Sequence, residues 1–578
     1  MVDIQWAIGG EAGYGIMTTG AMMGKIFTRL GLSVFDYVEY PSLIRGGHNV
    51  YYVRGSDETI YSQKIPVDIL VALNRNTIDE QKDELTPHAV IIYDPATVKV
   101  EPTEFTTQQL FPVPLLEITK QVGADKLMIN TVAVGASLAL FYPDFAVLDQ
   151  IMRDAFSKKG EEVVKENIET SKGGFDYVRE HYAGKFPLTV TKKPQDMLFI
   201  GGAEAVTLGA IKAGVKFAAI YPMTPVNTIM TTLVANALQY SIIVKEPEDE
   251  IAGINMAIGA AFAGVRSLAA TSGGGFSLMV EGLGLAAQTE TPLVIVEGMR
   301  PGPSTGMPTW TSQGDLRFVL HASQDDFPRI VLAPGDIIEA FSYTMHAFNL
   351  AEKYQMPVIV LVDKYLMEGR ATVKTQELQA KSEWFRVDRG KVLTDEQAAA
   401  ETDYLRYKLT DDGISPRSIP GQKGGIGLSG SDEHDEHGLY NEEANMRIAM
   451  MEKRYKKVAM IKDEVSACDL YGPKDAPLTI VGFGSTKLTV LEAMNWLTKE
   501  GIQVNFLKIN TLYPFLSDKI APFIQNAKQT LIIEGNYEGQ LEGLIRQHTL
   551  LPMQHRMRKY DGRPFYPEEI VAEAKKLL

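Results

Sequence analysis

The chain has 578 residues, of which 45% are hydrophobic and 22% are charged, and its net charge is −15. This length predicts roughly three or four domains, and the composition is typical of a globular protein rather than a disordered or membrane-embedded one. The acidic balance, without a sustained Lys/Arg run, argues against nucleic acid or an anionic membrane as the main partner.

The N-terminus and the cysteine content narrow the class further. Met1 to Gly10 lacks the regions of a signal peptide, and no apolar run approaches the ~20 residues of a membrane span, so we expect a cytoplasmic protein without a membrane partner. The single cysteine, Cys468, excludes an internal disulfide and any iron–sulfur cluster or cysteine-rich zinc site built from this chain alone. A cluster, if the reaction needs one, must come from another chain.

Short apolar runs alternate with helix-length segments, which predicts the α/β class with several doubly wound domains. The first domain is placed at residues 1–185 and opens with a strand, the glycines from Gly9 to Gly15, and a helix. Asp36 follows the next strand at a distance compatible with a ribose contact. Because the dinucleotide fingerprint is incomplete, a plain strand–helix turn is the better interpretation.

The rest of the chain divides into three parts. Phe186 to Asp196 is interpreted as a linker, and a second α/β domain is placed at residues 197–377. Residues 378–470, with the glycine-rich run Gly413 to Gly438, are interpreted as a long functional loop or a connector. The alternation of strands and helices resumes in a third, smaller α/β domain at residues 471–578.

Ligands gather at the carboxyl ends of strands in open parallel sheets, so residues that directly follow a strand are site candidates. Tyr221-Pro222-Met223-Thr224-Pro225 is the first such segment, and Thr224 is expected to cap the next helix. Glu250 is the second candidate. It opens a small-residue helix that is expected to be buried nearly all round, which would give a desolvated carboxyl suited to proton transfer. A rigid turn and an ordinary capped helix are the alternatives.

The next two candidates lie further along the same domain. Gly273-Gly274-Gly275 is expected to form a loop between a strand and a helix. Arg300 begins a loop rich in glycine, proline and hydroxyl side chains that reaches Thr309, and its guanidinium suits a carboxylate, although a surface arginine is an equal alternative. A metal site at His434, Asp435 and His437 is less favoured than a solvated polar loop.

The order of these motifs resembles the α subunit of the 2-oxoacid:ferredoxin oxidoreductases. The family motifs Tyr-Pro-x-Thr-Pro, Glu-Ile-Ala and Arg-x-Gly-Pro-Ser-Thr-Gly-x-Pro-Thr are matched at Tyr221, Glu250 and Arg300. Gly9 to Gly15 and the segment Tyr40 to Asn49 resemble the γ component of the family, and residues 476–578 resemble its transketolase C-terminal-like domain. The γ-then-α order is similar to the fused large subunits of 2-oxoglutarate-type enzymes.

The resemblance implies a pyrimidine-side thiamine diphosphate domain in which Tyr221, Pro222, Thr224 and Glu250 bind the cofactor. Glu250 would be catalytic through N1′ of the aminopyrimidine, and Thr224, Arg300 and Thr309 would bind the substrate. It also implies coenzyme A as co-substrate and ferredoxin as electron acceptor. This chain has no Gly-Asp-Gly motif and no assigned metal ligand, so a β subunit would share the thiamine diphosphate and carry Mg²⁺ and a [4Fe–4S] cluster, in an αβ or (αβ)₂ assembly.

The reaction expected from this resemblance is coenzyme A-dependent oxidative decarboxylation of a 2-oxoacid, with 2-oxoglutarate favoured, or the reverse. Two alternatives remain: a subunit of a non-redox thiamine diphosphate enzyme, and a non-catalytic assembly subunit. The second carboxylate of 2-oxoglutarate needs another cationic or polar contact. Arg45, the run Gly413 to Gly438 and the β chain are all open candidates for it.

Overall fold

The computed structural model describes residues 2–43, 46–193 and 195–578. The chain divides into two compact units. The N-terminal unit comprises the residues up to Ile200 together with Glu368–Gln376 and Tyr566–Ala572, and the second unit comprises Gly201–Met367, Glu377–Phe565 and Glu573–Leu578. Two later segments of the chain therefore return to the N-terminal unit.

The elements up to Gly201 are six strands with two intervening α-helices, then four consecutive α-helices and a seventh strand. The strands are β1 (Asp3–Ala12), β2 (Ser33–Glu39), β3 (Gly46–Ser56), β4 (Val67–Ala72), β5 (Leu85–Tyr93), β6 (Gln109–Pro112) and β7 (Met197–Gly201). The α-helices are α1 (Ile16–Leu30), α2 (Arg75–Gln81), α3 (Leu115–Gln121), α4 (Ile129–Phe141), α5 (Ala146–Phe156) and α6 (Glu161–His181).

The next segment alternates strand and helix regularly. Its elements are α7 (Gly202–Lys212), β8 (Phe217–Ile220), α8 (Asn227–Tyr240), β9 (Ile243–Lys245), α9 (Glu250–Phe262), β10 (Ser267–Ser272), α10 (Gly273–Gln288), β11 (Leu293–Met299), α11 (Leu316–His321), β12 (Ile330–Leu332), α12 (Ile337–Tyr354), β13 (Pro357–Asp363), α13 (Lys364–Glu368) and β14 (Arg370–Lys374).

The remaining elements begin with three helices and then resume the alternation. They are α14 (Thr375–Trp384), α15 (Asp395–Ala400), α16 (Ala444–Ile461), β15 (Cys468–Tyr471), β16 (Thr479–Phe483), α17 (Thr486–Lys499), β17 (Asn505–Ile509), β18 (Thr511–Tyr513), α18 (Ser517–Gln525), β19 (Thr530–Glu534), α19 (Gln540–Thr549), β20 (His555–Arg558) and α20 (Pro567–Leu577).

The N-terminal unit is built on an eight-stranded mixed sheet in the order β6-β5-β4-β1-β3-β2-β14-β7. Strands β1, β4, β5 and β6 are parallel, whereas β3 is antiparallel to both β1 and β2. Asp36 on β2 is buried, and its carboxylate accepts hydrogen bonds from the Tyr51 hydroxyl at 2.6 Å and the Arg370 amide at 2.7 Å. The considered ribose contact at Asp36 is therefore wrong, because its carboxylate is used inside the sheet.

The second unit contains two sheets, both parallel apart from one edge strand each. The larger has the order β18-β12-β13-β11-β10-β8-β9, with β18 antiparallel to β12, and the smaller has the order β15-β17-β16-β19-β20, with β15 antiparallel to β17. Apolar side chains of both sheets, among them Ile295, Ile359 and Ile532, belong to one buried cluster. The predicted α/β class is confirmed, and the two sheets of this unit share a core.

Residues 378–470 contain most of α14, all of α15 and the 18-residue helix α16. Lys453 and Lys457 on α16 are buried and form ion pairs with the buried carboxylate of Glu290, just beyond the end of α10. These ion pairs tie α16 to the connection between α10 and β11, and β11 is a strand of the larger sheet of the second unit. In the described parts of the chain, no helix is both long enough and apolar enough to cross a membrane.

Candidate active site

The carboxyl ends of β8, β10 and β11 meet at one edge of the larger sheet. β10 pairs in parallel with β8 on one side and with β11 on the other, with Ala270 opposite Ile220 and Ser272 opposite Gly298. The segments that begin at Tyr221, Gly273 and Arg300 therefore leave the sheet side by side. This is the edge at which parallel sheets bind ligands.

Glu250 lies at the first position of α9 and is only 3% exposed. The side chain of Asp249 caps the helix by accepting a hydrogen bond from the Ala252 amide at 2.8 Å. The Thr271 hydroxyl, at the end of β10, donates to Oε1 of Glu250 at 3.3 Å. A capped helix end and a neighbouring strand thus hold one carboxylate in a buried position.

The helix that Glu250 opens is not buried nearly all round, so that prediction is wrong. Ile251, Met256 and Phe262 are 50%, 41% and 39% exposed. Their side chains lie on the face of α9 opposite to the buried Ile254, Ala257 and Ile258, which pack into the core. The sequence is apolar on both faces of α9, but the fold of this chain covers only one.

The three glycines after β10 form the first turn of α10 instead of the predicted loop, because the helix begins at Gly273 directly after the strand. A Cβ atom on Gly275 would stand 2.0 Å from Oγ1 of Thr271 and 2.2 Å from Oε1 of Glu250. The buried hydroxyl of Ser272 has no hydrogen-bond partner among the described residues. The turn is therefore shaped around Glu250 and presents a polar group without a partner.

Thr224 does not cap the following helix as predicted, because α8 begins only at Asn227 and Val226 occupies the cap position. Its carbonyl oxygen instead accepts a hydrogen bond from Nη1 of Arg300 at 3.0 Å. Burial lowers the pKa of Arg300, whereas the nearby carboxyls of Asp315, Glu250 and Glu297 raise it. The structure thus brings Thr224, Arg300 and Glu250 into one electrostatic environment.

The other predicted site residues differ in exposure. Tyr221 is 36% exposed and Pro222 is half-buried, so both present surface at the end of β8. Thr309 is only 5% exposed and lies in the loop that begins at Arg300. Tyr221 and Pro222 are therefore accessible at the surface of the chain, whereas Thr309 is buried inside it.

Glu297 and Asp315 form a buried carboxyl pair that the sequence analysis missed. Glu297 lies in β11 and is fully buried, and its carboxyl is within hydrogen-bonding reach of the carboxyl of Asp315, which directly precedes α11. Burial raises the pKa of Glu297 well above its ordinary value and that of Asp315 to about 6. The only available signal was one acidic residue inside the apolar strand Leu293–Met299.

Gln313 anchors the segment that carries Asp315. Its amide nitrogen donates to the Phe483 carbonyl at 2.9 Å, and its amide oxygen accepts from the Gly535 backbone at 2.9 Å. Phe483 ends β16 and Gly535 follows β19, so both contacts come from the smaller sheet of the second unit. The position of Asp315 therefore depends on both sheets, a relationship with no local sequence signal.

His434 is buried, so the prediction of a solvated polar loop is wrong at this residue. Its ring centroid lies 3.8 Å from that of Tyr407, and its Nδ1 lies 2.9 Å from the Asp435 carbonyl oxygen. His437 remains at the surface beside Asp403. Across the described ranges, no group of three or more His, Cys, Asp or Glu side chains is arranged to hold a metal ion.

The segment Tyr40 to Asn49 is described only in part, because Ile44 and Arg45 lie outside the described residues. The Tyr40 hydroxyl donates to the Glu368 carboxylate at 3.0 Å, and the Asn49 side chain contacts the Gly10 carbonyl at 3.4 Å. The segment is thus tied to the glycine-rich end of β1 and to a returning part of the chain.

Comparison with known proteins agrees with this architecture. Three family models match: "Pyruvate ferredoxin/flavodoxin oxidoreductase" over residues 5–177, "Pyruvate flavodoxin/ferredoxin oxidoreductase, thiamine diP-bdg" over 208–453, and "Pyruvate:ferredoxin oxidoreductase core domain II" over 476–570. The α subunit of 2-oxoacid:ferredoxin oxidoreductase 2 from Aeropyrum pernix is 33% identical, with 100% of this chain and 98% of that protein covered. The 2-oxoglutarate synthase subunit KorA of Methanothermobacter thermautotrophicus is 33% identical over 64% of this chain and 96% of its own length.

A solved structure covers the whole chain. The 2-oxoglutarate:ferredoxin oxidoreductase from Magnetococcus marinus, with 2-oxoglutarate, coenzyme A and succinyl-CoA bound, matches with a TM-score of 0.91 and 33% identity, over 100% of this chain and 99% of that one. The fold is that of an oxidoreductase subunit with a thiamine diphosphate-binding domain. The chain belongs to the 2-oxoacid:ferredoxin oxidoreductase family, as an α subunit with a γ-type domain at its N-terminus.

Proposed function

We propose that this chain is the large subunit of a cytoplasmic enzyme that oxidatively decarboxylates 2-oxoglutarate, or runs the reverse reaction, using coenzyme A and ferredoxin. The observation that carries the proposal is the buried Glu250 carboxylate held between Thr271 and Gly275, close to an arginine anchored on Thr224. The choice of substrate is supported by the bound 2-oxoglutarate of the Magnetococcus marinus enzyme.

The residues around Glu250 fit the aminopyrimidine half of thiamine diphosphate. Gly275 leaves room that a Cβ atom would fill, and the Ser272 hydroxyl is buried without a partner in the described structure. Tyr221, Pro222 and Thr224 lie at the adjacent strand end and complete the proposed binding residues. When bound, thiamine diphosphate supplies the carbon nucleophile and the electron sink for decarboxylation.

Glu250 would then be the catalytic residue, because its buried carboxyl would hydrogen-bond N1′ of the pyrimidine and assist proton transfer there. Its burial excludes water, which strengthens a hydrogen bond to that atom. The Thr271 hydroxyl fixes the carboxylate by bonding to Oε1. The function of Thr271 in this proposal is to orient Glu250.

Arg300 binds the substrate carboxylate. One of its five N–H groups is used on the Thr224 carbonyl, and the planar guanidinium has further donors for a carboxylate. Thr224 thereby positions Arg300, and Thr309 is proposed to contribute to the same substrate site. The contact for the second carboxylate of 2-oxoglutarate is proposed to come from another part of the assembled enzyme.

The other half of the active site is proposed to come from a β subunit in an αβ or (αβ)₂ assembly. This chain has no Gly-Asp-Gly motif and only one cysteine, so Mg²⁺ and the [4Fe–4S] cluster are assigned to that partner. Exposed apolar side chains on α8, β9 and α9 provide a surface for it. They are Val234, Leu238, Ile243, Ile251 and Met256, which are 41% to 99% exposed.

The test is viologen reduction by the complex captured through this chain, with 2-oxoglutarate, pyruvate and branched 2-oxoacids, with and without coenzyme A. We expect reduction that requires coenzyme A and is fastest with 2-oxoglutarate. Decarboxylation without reduction would support the non-redox alternative, and no reaction in an intact iron-containing complex would support an assembly subunit. Glu250→Gln should lower turnover about 10²- to 10⁴-fold, whereas the exposed Glu248→Gln is the matched control and should retain it.

A further inference from the structure

The Glu297–Asp315 pair lies beside the substrate-binding arginine and has no assigned role. Both oxygens of Glu297 and Oδ2 of Asp315 are buried and receive no hydrogen bond from a donor group in the described part of the chain. The two carboxyls are nevertheless within hydrogen-bonding reach of each other. Asp315 also reaches the first turn of α10, because a Cβ atom on Gly273 would stand 2.5 Å from its Oδ2.

Two ionised carboxylates in contact are both acceptors, so they repel each other and form no hydrogen bond. Burial of Glu297 and of Oδ2 of Asp315 adds the cost of removing charge from water, and these three oxygens find no donor among the described residues that offsets it. Holding one proton between them removes one charge and supplies the missing donor. This is the arrangement that two close carboxyls adopt in general.

We propose that Glu297 and Asp315 share one proton at neutral pH, with Glu297 as the acid and Asp315 as the member of the pair whose negative charge faces Arg300. The pair positions Arg300 and sets the net charge around the site that binds the substrate carboxylate. This inference rests on the proposed function in one respect, the role of Arg300 in binding the 2-oxoacid. The existence of the shared proton is independent of that role.

The charged groups around the pair explain why the shared proton affects the binding of an anionic substrate. Glu297 is faced by Asp315, Asp363 on β13 and Arg300, and Arg300 is itself faced by Glu250 on α9. Asp363 is held by the Ser485 hydroxyl at 2.5 Å and the Leu366 amide at 3.0 Å. If every carboxyl were ionised, the negative charges would exceed the single positive charge of Arg300, and the site would repel an anionic substrate. The shared proton lets Arg300 retain its attraction for a carboxylate.

The direction of the pKa shifts agrees with this assignment. Burial raises the pKa of Glu297 far above its ordinary value, and raises that of Asp315 to about 6. The upward shift is the larger one on Glu297, which agrees with the proton residing on that carboxyl.

The direct test is infrared difference spectroscopy on the assembled complex at pH 7.5, comparing the parent with Glu297→Gln. We expect a protonated carboxyl C=O band in the parent that Glu297→Gln lacks and that shifts in Asp315→Asn, where the acceptor changes. Glu84, whose pKa burial raises to about 7, is the control in the N-terminal unit: Glu84→Gln should leave the Glu297 band in place. Identical spectra of the parent and Glu297→Gln would overturn the proposal.

The second test uses the KM for the 2-oxoacid as a readout of charge. With one shared proton, Glu297→Gln removes no charge and changes KM less than Asp315→Asn does, whereas Asp315→Asn removes one charge and lowers KM at least about threefold. The double variant should then match Asp315→Asn. If both carboxyls were ionised, each single substitution would lower KM and the double would lower it further, which would refute the proposal.

The two tests separate this inference from the proposed function. A complex that turns over no 2-oxoacid refutes the proposed function, while the infrared band of Glu297 still reports the proton. A complex that turns over 2-oxoglutarate without that band retains its function and loses the shared proton.

Discussion

Gly275 and Glu250 lie so close together that a Cβ atom on residue 275 would stand 2.2 Å from Oε1 of the glutamate. The same atom would stand 2.0 Å from Oγ1 of Thr271, the donor that holds this carboxylate. The absence of a side chain at residue 275 is therefore a condition for the position of Glu250. This requirement concerns space and not backbone conformation, since Gly275 lies within a regular helix.

The first prediction follows from this contact. Gly275→Ala should displace the Glu250 and Thr271 side chains and lower turnover of the assembled complex about a hundredfold, because a shift of about 1 Å in a catalytic group has effects of this size. Steady-state viologen reduction measures the loss. Thermal unfolding of the isolated chain checks that the variant is folded.

Gly274→Ala is the matched control, one residue away in the same helical turn. The nearest atom to its added Cβ, the Ser304 carbonyl oxygen, is 3.8 Å away, which is an ordinary contact. We expect parental turnover and an increase in stability of up to about 1 kcal/mol from the better helix former. Equal losses of turnover in both variants would contradict the proposed importance of the Glu250 contact.

The second prediction concerns the geometry of Arg300. Arg300→Lys keeps the positive charge but removes the planar fork that bonds Thr224 and grips a carboxylate, so KM for the 2-oxoacid should rise about tenfold or more, with a smaller change in kcat. The exposed Arg317, paired with Glu538 at the surface, serves as the control in Arg317→Lys. A change confined to kcat would argue against a role in substrate binding.

The third prediction concerns the buried ion pairs that hold α16. Lys453, Lys457 and Glu290 are each about 1% exposed, so Glu290→Gln leaves two buried ammonium groups without their partner. The free energy of unfolding should fall by about 3–5 kcal/mol in urea denaturation. Glu464→Gln breaks the half-exposed pair with Lys353 and should cost less than about 1 kcal/mol. If both variants lost a comparable free energy of unfolding, the buried ion pairs would contribute no more stability than the half-exposed pair.

The fourth prediction is a pH dependence of stability centred on Glu339. Burial raises the pKa of this carboxyl, but Lys508 and Lys487 outweigh it and bring the pKa down to about 2. A depressed pKa stabilises the fold above the unfolded-state value near 4.5, and this stabilisation is lost as the pH falls towards 2. It amounts to about 3 kcal/mol at pH 7.

Glu339→Gln should therefore be less stable at pH 7 and should lose less stability than the parent between pH 6 and about 3. Urea midpoints measured across this pH range test how steeply stability depends on pH. The exposed Glu246→Gln is the control and should show the same pH dependence as the parent. Parallel profiles of the parent and Glu339→Gln would contradict the assigned coupling to the two lysines.

Much of the fold and part of the site were predictable from sequence. Alternating apolar runs and helix-length segments specify the α/β class, because burial against a sheet imposes that pattern on each segment separately. Tyr221, Glu250 and Arg300 were predicted as site candidates because each follows a strand, and parallel strands bring their carboxyl ends to one edge. The exact first residues of the helices were harder to predict from the sequence. Thr224 has the chemistry of a cap, yet the chain turns for two more residues before α8 begins.

The tertiary structure decided the features that depend on distant segments. Whether α9 is covered on one face or both depends on what packs against it, and its own apolar sequence is the same in either case. Glu297 and Asp315 meet because Gln313 ties one segment to the smaller sheet while β11 lies within the larger. Local sequence records the preferences of neighbouring residues, whereas the proton inferred between these two carboxyls arises from burial and proximity that only the folded chain creates.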